Sequence, residues 1–91
     1  MIPMEEIRKK SSEFLLKLYY KSKGNVNKFF PVYEIGEELG FDKDLTKEVE
    51  EYLKSKEKIE YRAFTDDPKL ELGYKISITL EGIRQVEESL K

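Results

Sequence analysis

Along the first twenty-odd residues, Ile7, Phe14, Leu15 and Leu18 recur at the spacing that gathers side chains on one face of an α-helix, with Ser11 on the same stripe. The pattern predicts a helix from about Met4 to Ser22. Ser22-Lys23-Gly24-Asn25 is turn chemistry, and Val26 to Phe30 forms a short extended piece, anchored by Phe29 or Phe30, which Pro31 ends or hands over to a helix start. Val32, Ile35, Gly36 and Leu39 then fall at i, i+3, i+4 and i+7. This is a short second helix, stopped by Gly40 as its left-handed cap, with Glu34, Glu37 and Glu38 on its solvent face. After Phe41, Asp42 or Asp44 caps a third helix running to about Lys56, in which Leu45, Val49, Tyr52 and Leu53 share one arc of about 100°.

From Lys58 the period becomes two. Ile59, Tyr61 and Ala63 alternate with Lys58, Glu60 and Arg62, and Leu72, Tyr74, Ile76 and Ile78 alternate with Gly73, Lys75 and Ser77. Two strands result, joined across Thr65-Asp66-Asp67-Pro68-Lys69 as a long hairpin. Thr79 caps a last helix whose apolar stripe is Leu80, Ile83, Val86 and Leu90. No internal repeat interrupts this order.

Helix, short strand, helix, helix, hairpin, helix is an order that resembles the winged helix-turn-helix family, of the small bacterial and archaeal transcription-regulator type, over essentially the whole chain. Ile35, Gly36, Leu39 and Gly40 fit the family's turn motif of an apolar residue, a small one, and an apolar one followed by glycine. A small residue at Gly36 lets the second and third helices cross closely, and Gly40 supplies positive φ. Ile78-Thr79-Leu80-Glu81-Gly82 looks like the family's strand-to-helix junction. The resemblance implies an α+β winged-helix domain over residues 1–91 that binds duplex DNA, with the third helix in the major groove and the wing beside it. Two positions depart from the pattern: the apolar residue is Leu45 where the family favours position 46, here Thr46, and Glu57 stands where a glycine is usual. The first leaves the rotation of the third helix open by about 100°.

Charge changes the picture. The chain carries 17 Lys plus Arg against 19 Asp plus Glu, a net charge of -2, so there is no blanket attraction to nucleic acid. Residues 1–31 have an excess of basic groups, whereas residues 32–60, which hold the helix-turn-helix, are strongly acidic. With Leu45, Val49 and Tyr52 inward, however, the third helix turns Lys43, Lys47, Glu50 and Lys54 outward, a mostly basic stripe. Candidate DNA contacts are therefore Lys43, Thr46, Lys47 and Lys54 on that helix, Arg62, Lys69 and Lys75 on the hairpin, and Lys28 before the second helix. Lys17 and Lys21 flank the same side. With only three arginines, bidentate guanine reading is scarce and affinity should come from the phosphate backbone. Asp66 and Asp67 oppose phosphate at the hairpin tip.

Ninety-one residues are one domain's worth of chain, and 38% hydrophobic with 12% aromatic residues suffices for a core. Absence of cysteine and histidine removes disulfides, thiolate nucleophiles, imidazole bases and ordinary zinc sites. No phosphate-cradling glycine loop or nucleophile-base pair is present, so neither an enzyme nor a bound cofactor is expected. Met1 to Met4 runs straight into charged residues, unlike a signal peptide, and a cytoplasmic location is expected. Lys and Glu are abundant while Asn and Gln total three, a bias resembling hyperthermophile composition. Tyr19 and Tyr20 turn partly away from the first helix's apolar stripe, which suggests a homodimer through helices one and four. The competing reading is a protein-interaction module that uses the acidic second helix and exposed aromatics.

Overall fold

The first helix, α1, spans Met4–Ser22 as its pattern requires, and buries Ile7, Ser11, Phe14, Leu15 and Leu18. The computed structural model describes residues 2–62 and 75–90, except for the side chain of Arg62. After α1 come β1 (Phe30–Pro31), α2 (Val32–Glu38), α3 (Lys43–Ser55), β2 (Ile59–Arg62), β3 (Lys75–Ile78) and α4 (Leu80–Ser89). β3 lies between β1 and β2 and pairs antiparallel with both, Phe30 opposite Ile76 and Tyr61 opposite Ile76 on the other side. Four helices on a small three-stranded sheet make the α+β winged-helix fold that the sequence order implied. Ala63, the loop Thr65 to Lys69, and Leu72, Gly73 and Tyr74 lie outside the described residues.

The extended piece expected at Val26 to Phe30 is shorter and later: only Phe30 and Pro31 pair. Asn25 instead accepts the amide of Asn27 through its side chain, at 2.8 Å, and that of Lys28 through its carbonyl, at 3.3 Å. This turn uses up the backbone groups a strand would need. Pro31 then precedes the first residue of α2, where its missing N–H costs nothing.

One core joins all layers. Phe14, Leu15 and Leu18 from α1 meet Val32 and Ile35 from α2, Val49 and Leu53 from α3, Ile59, Ile76 and Ile78 from the sheet, and Val86 from α4. Burying a side chain of this size stabilises by about 1.5–3 kcal/mol. In α4 the expected stripe is only partly inward. Val86 is buried and Ile83 packs against the core, but Leu80 is 76% and Leu90 54% exposed, because the first and last turns overhang it.

Three helix ends share one solution, with amide bonds running back five and three residues around a left-handed residue. At Gly40 (φ 76) the amides of Phe41 and Gly40 donate to Gly36 and Glu37. At Lys23 (φ 55) those of Gly24 and Lys23 donate to Tyr19 and Tyr20. At Glu57 (φ 60) those of Lys58 and Glu57 donate to Leu53 and Lys54. The turn into the hairpin therefore takes left-handed geometry at Glu57 without glycine, at a conformational cost of about 1–2 kcal/mol. Thr79 offsets part of it. Its hydroxyl donates to the Glu57 carbonyl at 2.7 Å and accepts the Gly82 amide at 3.0 Å, so one side chain both fastens that turn and caps α4.

Candidate nucleic-acid interface

The rotation of α3 decides which side chains meet a ligand. Asp42, not Asp44, caps it, accepting the Leu45 amide at 2.7 Å. Its buried residues are Thr46, Val49, Glu50 and Leu53, while Leu45 and Tyr52 are only half-buried. The helix is thus turned by rather less than one residue's ~100° from the arc that the apolar residues suggested. Two contacts explain the turn. Thr46, 1% exposed, sits against Gly36: a Cβ built there would collide with Thr46 Oγ1 and stand 2.9 Å from its Cγ2. Its hydroxyl donates to the Asp42 carbonyl at 2.8 Å, which removes the cost of burying it. Thr46 is therefore a core residue and not a DNA contact.

The second contact is Glu50, expected on the outer stripe and found buried. Its carboxylate accepts the Tyr61 hydroxyl at 2.8 Å, which joins α3 to β2. Burial pushes the Glu50 carboxyl above the usual carboxylate range, and the Tyr61 hydrogen bond only partly opposes this. Lys54, one turn on, sets its ammonium 4.0 Å from the centre of the same tyrosine ring. At an exposed position such a cation–π contact contributes about 0.5–1 kcal/mol.

The exposed side of α3 consequently has two edges. Lys43, Lys47 and Lys54 follow one another along the edge next to Glu50, and so beside β2, and all three are exposed. Asp44, Glu48 and Glu51 are also exposed and lie further round, along the middle of the outward face, opposite the centre of the buried arc. The carboxylate that would have broken the basic edge, Glu50, is turned into the contact with the hairpin. The signs are segregated, acid along the middle of the outward face and base along the edge adjoining the sheet.

On the hairpin, Lys75 is exposed and pairs in register with Arg62, which places both at the described end of the β2–β3 ladder. Lys69 lies outside the described residues, as do Asp66 and Asp67. Lys28 is exposed in the turn before β1. Lys21, by contrast, is engaged within the chain. Its ammonium binds Glu38 at 2.9 Å and stands 5.5 Å from the Phe30 ring centre. That hydrogen bond with Lys21 holds the Glu38 carboxyl below its ordinary value and quiets one of the α2 carboxylates. Sequence reasoning missed Tyr61 as a partner of α3. The signal available was the i, i+4 pair Glu50 and Lys54 opposite a half-buried tyrosine on a period-two segment. Among the described residues no cluster of His, Cys, Asp and Glu is arranged to hold a metal ion, and no helix is long and apolar enough to cross a membrane.

No protein-family model matches the chain, and no curated protein matches it significantly. Two solved structures are similar in fold. One is a probable transcriptional regulator from Pseudomonas aeruginosa, 21% identical, with a TM-score of 0.69 over 88% of this chain and 53% of that one. The other is wild-type MarR from E. coli in its apo form, 15% identical, with a TM-score of 0.60 over 97% of this chain and 74% of that one. The chain thus spans about half the length of the first and about three quarters of the second.

Proposed function

We propose that the chain is the DNA-binding module of a cytoplasmic transcription regulator, with α3 laid in the major groove and the hairpin over the adjacent backbone. The observation that carries this reading is the line of Lys43, Lys47 and Lys54 along the sheet-side edge of α3, an edge from which Glu50 is withdrawn by burial against Tyr61. Likeness of fold to a probable transcriptional regulator and to MarR supports it. Lysine ammonium groups act as point charges on phosphate, so binding releases counterions and reads sequence only weakly. Lys75 on β3 and Lys28 in the turn before β1 are exposed and are further proposed contacts, and Arg62 and Lys69 are proposed from their place in the sequence alone. Thr46 is not one of them.

The test is binding to duplex DNA of random sequence over a range of salt concentrations. Lys43→Gln and Lys47→Gln should each weaken binding several-fold and reduce the slope of log affinity against log salt by about one. An unchanged slope in both variants would reject the reading. The exposed acids Asp44, Glu48 and Glu51, with Glu34 and Glu37 on α2, favour a second reading as a module that docks a basic protein surface. In that case Glu48→Gln and Glu51→Gln weaken partner capture, and duplex DNA fails to bind at physiological salt.

The proposal extends to a two-fold dimer through α1 and α4. Tyr20 is 58% exposed beside Tyr19, whose hydroxyl reaches Glu87 on α4 at 3.2 Å. Between the same helices runs an apolar hollow of about 260 Å³ walled by Leu15, Leu16, Val86 and Leu90. Light scattering at micromolar concentration should give twice the chain mass, and Leu90→Glu should halve it. A monomer in the unaltered chain would remove the dimer from the proposal and leave the lysine edge untouched.

A further inference from the structure

We propose that duplex DNA binds this chain together with a proton, which the Glu50 carboxylate behind the lysine edge of α3 takes up from solvent. The coupling rests on the reading of that edge as a phosphate contact, and adds how acidity regulates it. Of the four carboxylates on α3, Asp44, Glu48 and Glu51 are exposed, while Glu50 is 9% exposed. Tyr61 on β2 donates its hydroxyl to Glu50 Oε1 at 2.8 Å. Lys47 and Lys54 stand three residues before Glu50 and four after it, the places that adjoin it on a helix surface. Lys54 also sets its ammonium 4.0 Å from the centre of the Tyr61 ring. A buried carboxylate thus lies directly behind the cations that would meet phosphate.

Every group that faces Glu50 bears on its charge. Burial acts most strongly and favours the neutral acid. The Tyr61 hydrogen bond opposes it from β2, Glu51 on α3 adds to it, and Lys54 and Lys47 on α3 favour the anion. Lys75 on β3 belongs to the other face of the sheet from Tyr61, because Ile76 is the residue across from Tyr61 and successive side chains alternate. Among the described residues no charged group of α1 or α2 acts on Glu50. The anion is therefore held by one hydrogen bond and two lysines, against the pull of burial.

A phosphate seated on Lys47 and Lys54 draws those two charges to itself and brings a negative charge of its own. Both changes favour the neutral acid. One carboxyl oxygen takes the proton and Oε1 goes on accepting the Tyr61 hydroxyl, so α3 and β2 stay joined while the charge behind the edge is removed. The sign follows from linkage: a group whose pKa rises on binding makes binding tightest below its value in the free chain, and the advantage is lost as pH rises through its value in the complex. A phosphate roughly 8 Å from Glu50 in a largely aqueous dielectric corresponds to about a threefold change in affinity.

Duplex DNA of random sequence is titrated, at constant ionic strength, into the parent chain and into Glu50→Gln from mildly acidic to mildly alkaline pH. Glutamine is neutral, similar in shape, and keeps an acceptor for Tyr61. The parent should converge with the variant as pH falls and bind about threefold more weakly than it at the alkaline end. Asp44, Glu48 and Glu51 are present in both proteins, so the difference belongs to Glu50. The carboxyl carbon resonance of Glu50 in the isotope-labelled parent should titrate at higher pH once duplex is added, a shift that a merely structural role for Glu50 would not produce. Affinities of the two proteins that follow parallel curves against pH, or a Glu50 titration that duplex leaves unmoved, overturn the coupling and leave the lysine edge standing. Failure of both proteins to bind duplex at any pH, even at low salt, overturns the reading of that edge and the coupling with it.

Discussion

Gly36→Ala should lower stability by about 2 kcal/mol, even though alanine is the better helix former. A methyl group at position 36 would overlap Thr46 Oγ1 and come within 2.9 Å of its Cγ2, at the crossing of α2 and α3. Overpacking of this kind costs about 1–3 kcal/mol, against a helix-propensity gain of at most about 1 kcal/mol. Thr46 has little freedom to retreat, since its hydroxyl is bonded to the Asp42 carbonyl and its residue is 1% exposed. Thr46→Ala alone should cost about 1 kcal/mol for the lost methyl and hydrogen bond. Together with Gly36→Ala it should restore much of the loss, because the two methyl groups then exchange places. Urea unfolding of the four proteins of this cycle would show a coupling of at least about 1 kcal/mol. Additive losses would mean that the helices have another way of separating. Because Thr46 faces the core, Thr46→Ala should also leave the salt slope of DNA binding unchanged.

Tyr61→Phe is the second large effect, and it should depend on pH. The change leaves the Glu50 carboxylate, only 9% exposed, without its 2.8 Å hydrogen bond, a loss of about 2 kcal/mol near neutral pH. Burial already raises the Glu50 pKa in the folded chain, so the folded state holds that proton more tightly than the unfolded one. The sign follows from linkage: Glu50's contribution is most favourable below its unfolded pKa and is lost as pH rises through the raised folded value. Tyr61→Phe steepens this dependence, since the hydrogen bond it deletes was holding the pKa down. Glu50→Gln should abolish it, keep an acceptor for the tyrosine, and be at least as stable as the parent at neutral pH. Glu38 and Glu81 run the other way, their pKa values lowered by hydrogen bonds to Lys21 and to Arg84 and Lys58, so their contribution is lost on acidification. Comparing the parent with Glu50→Gln at each pH cancels those groups. If the difference in unfolding free energy between these two stays constant from mildly acidic to mildly alkaline pH, the buried-carboxylate account fails.

Much of the fold was legible in the sequence because its signals are local. The α1 stripe, the Gly40 stop and the Thr79 cap each depend on a few neighbouring residues, and all three were found where the pattern put them. The rotation of α3 was not legible. It depends on a void left by Gly36 on another helix and on a hydroxyl supplied by Tyr61, eleven residues beyond Glu50. Hydrophobicity ranks Leu45 above Thr46 and places glutamate outside, and both inferences fail where a partner satisfies the polar group. For the same reason the candidate contacts divided. Lysines on a solvent face could be read from spacing, whereas the loss of Thr46 to the core and of Glu50 to the hairpin required the tertiary partners.

The hydroxyl of Thr79 answers to two masters, the carbonyl of Glu57 at the root of the hairpin and the Gly82 amide in the first turn of α4. Lys58 repeats the connection, its carbonyl accepting the Thr79 amide at 3.0 Å while its ammonium reaches Glu81. With three such ties across a few ångströms, the hairpin root and the start of α4 behave as one mechanical piece. A torque applied to the strands is delivered to the far helix, and whatever grips that helix from outside steers the strands in return.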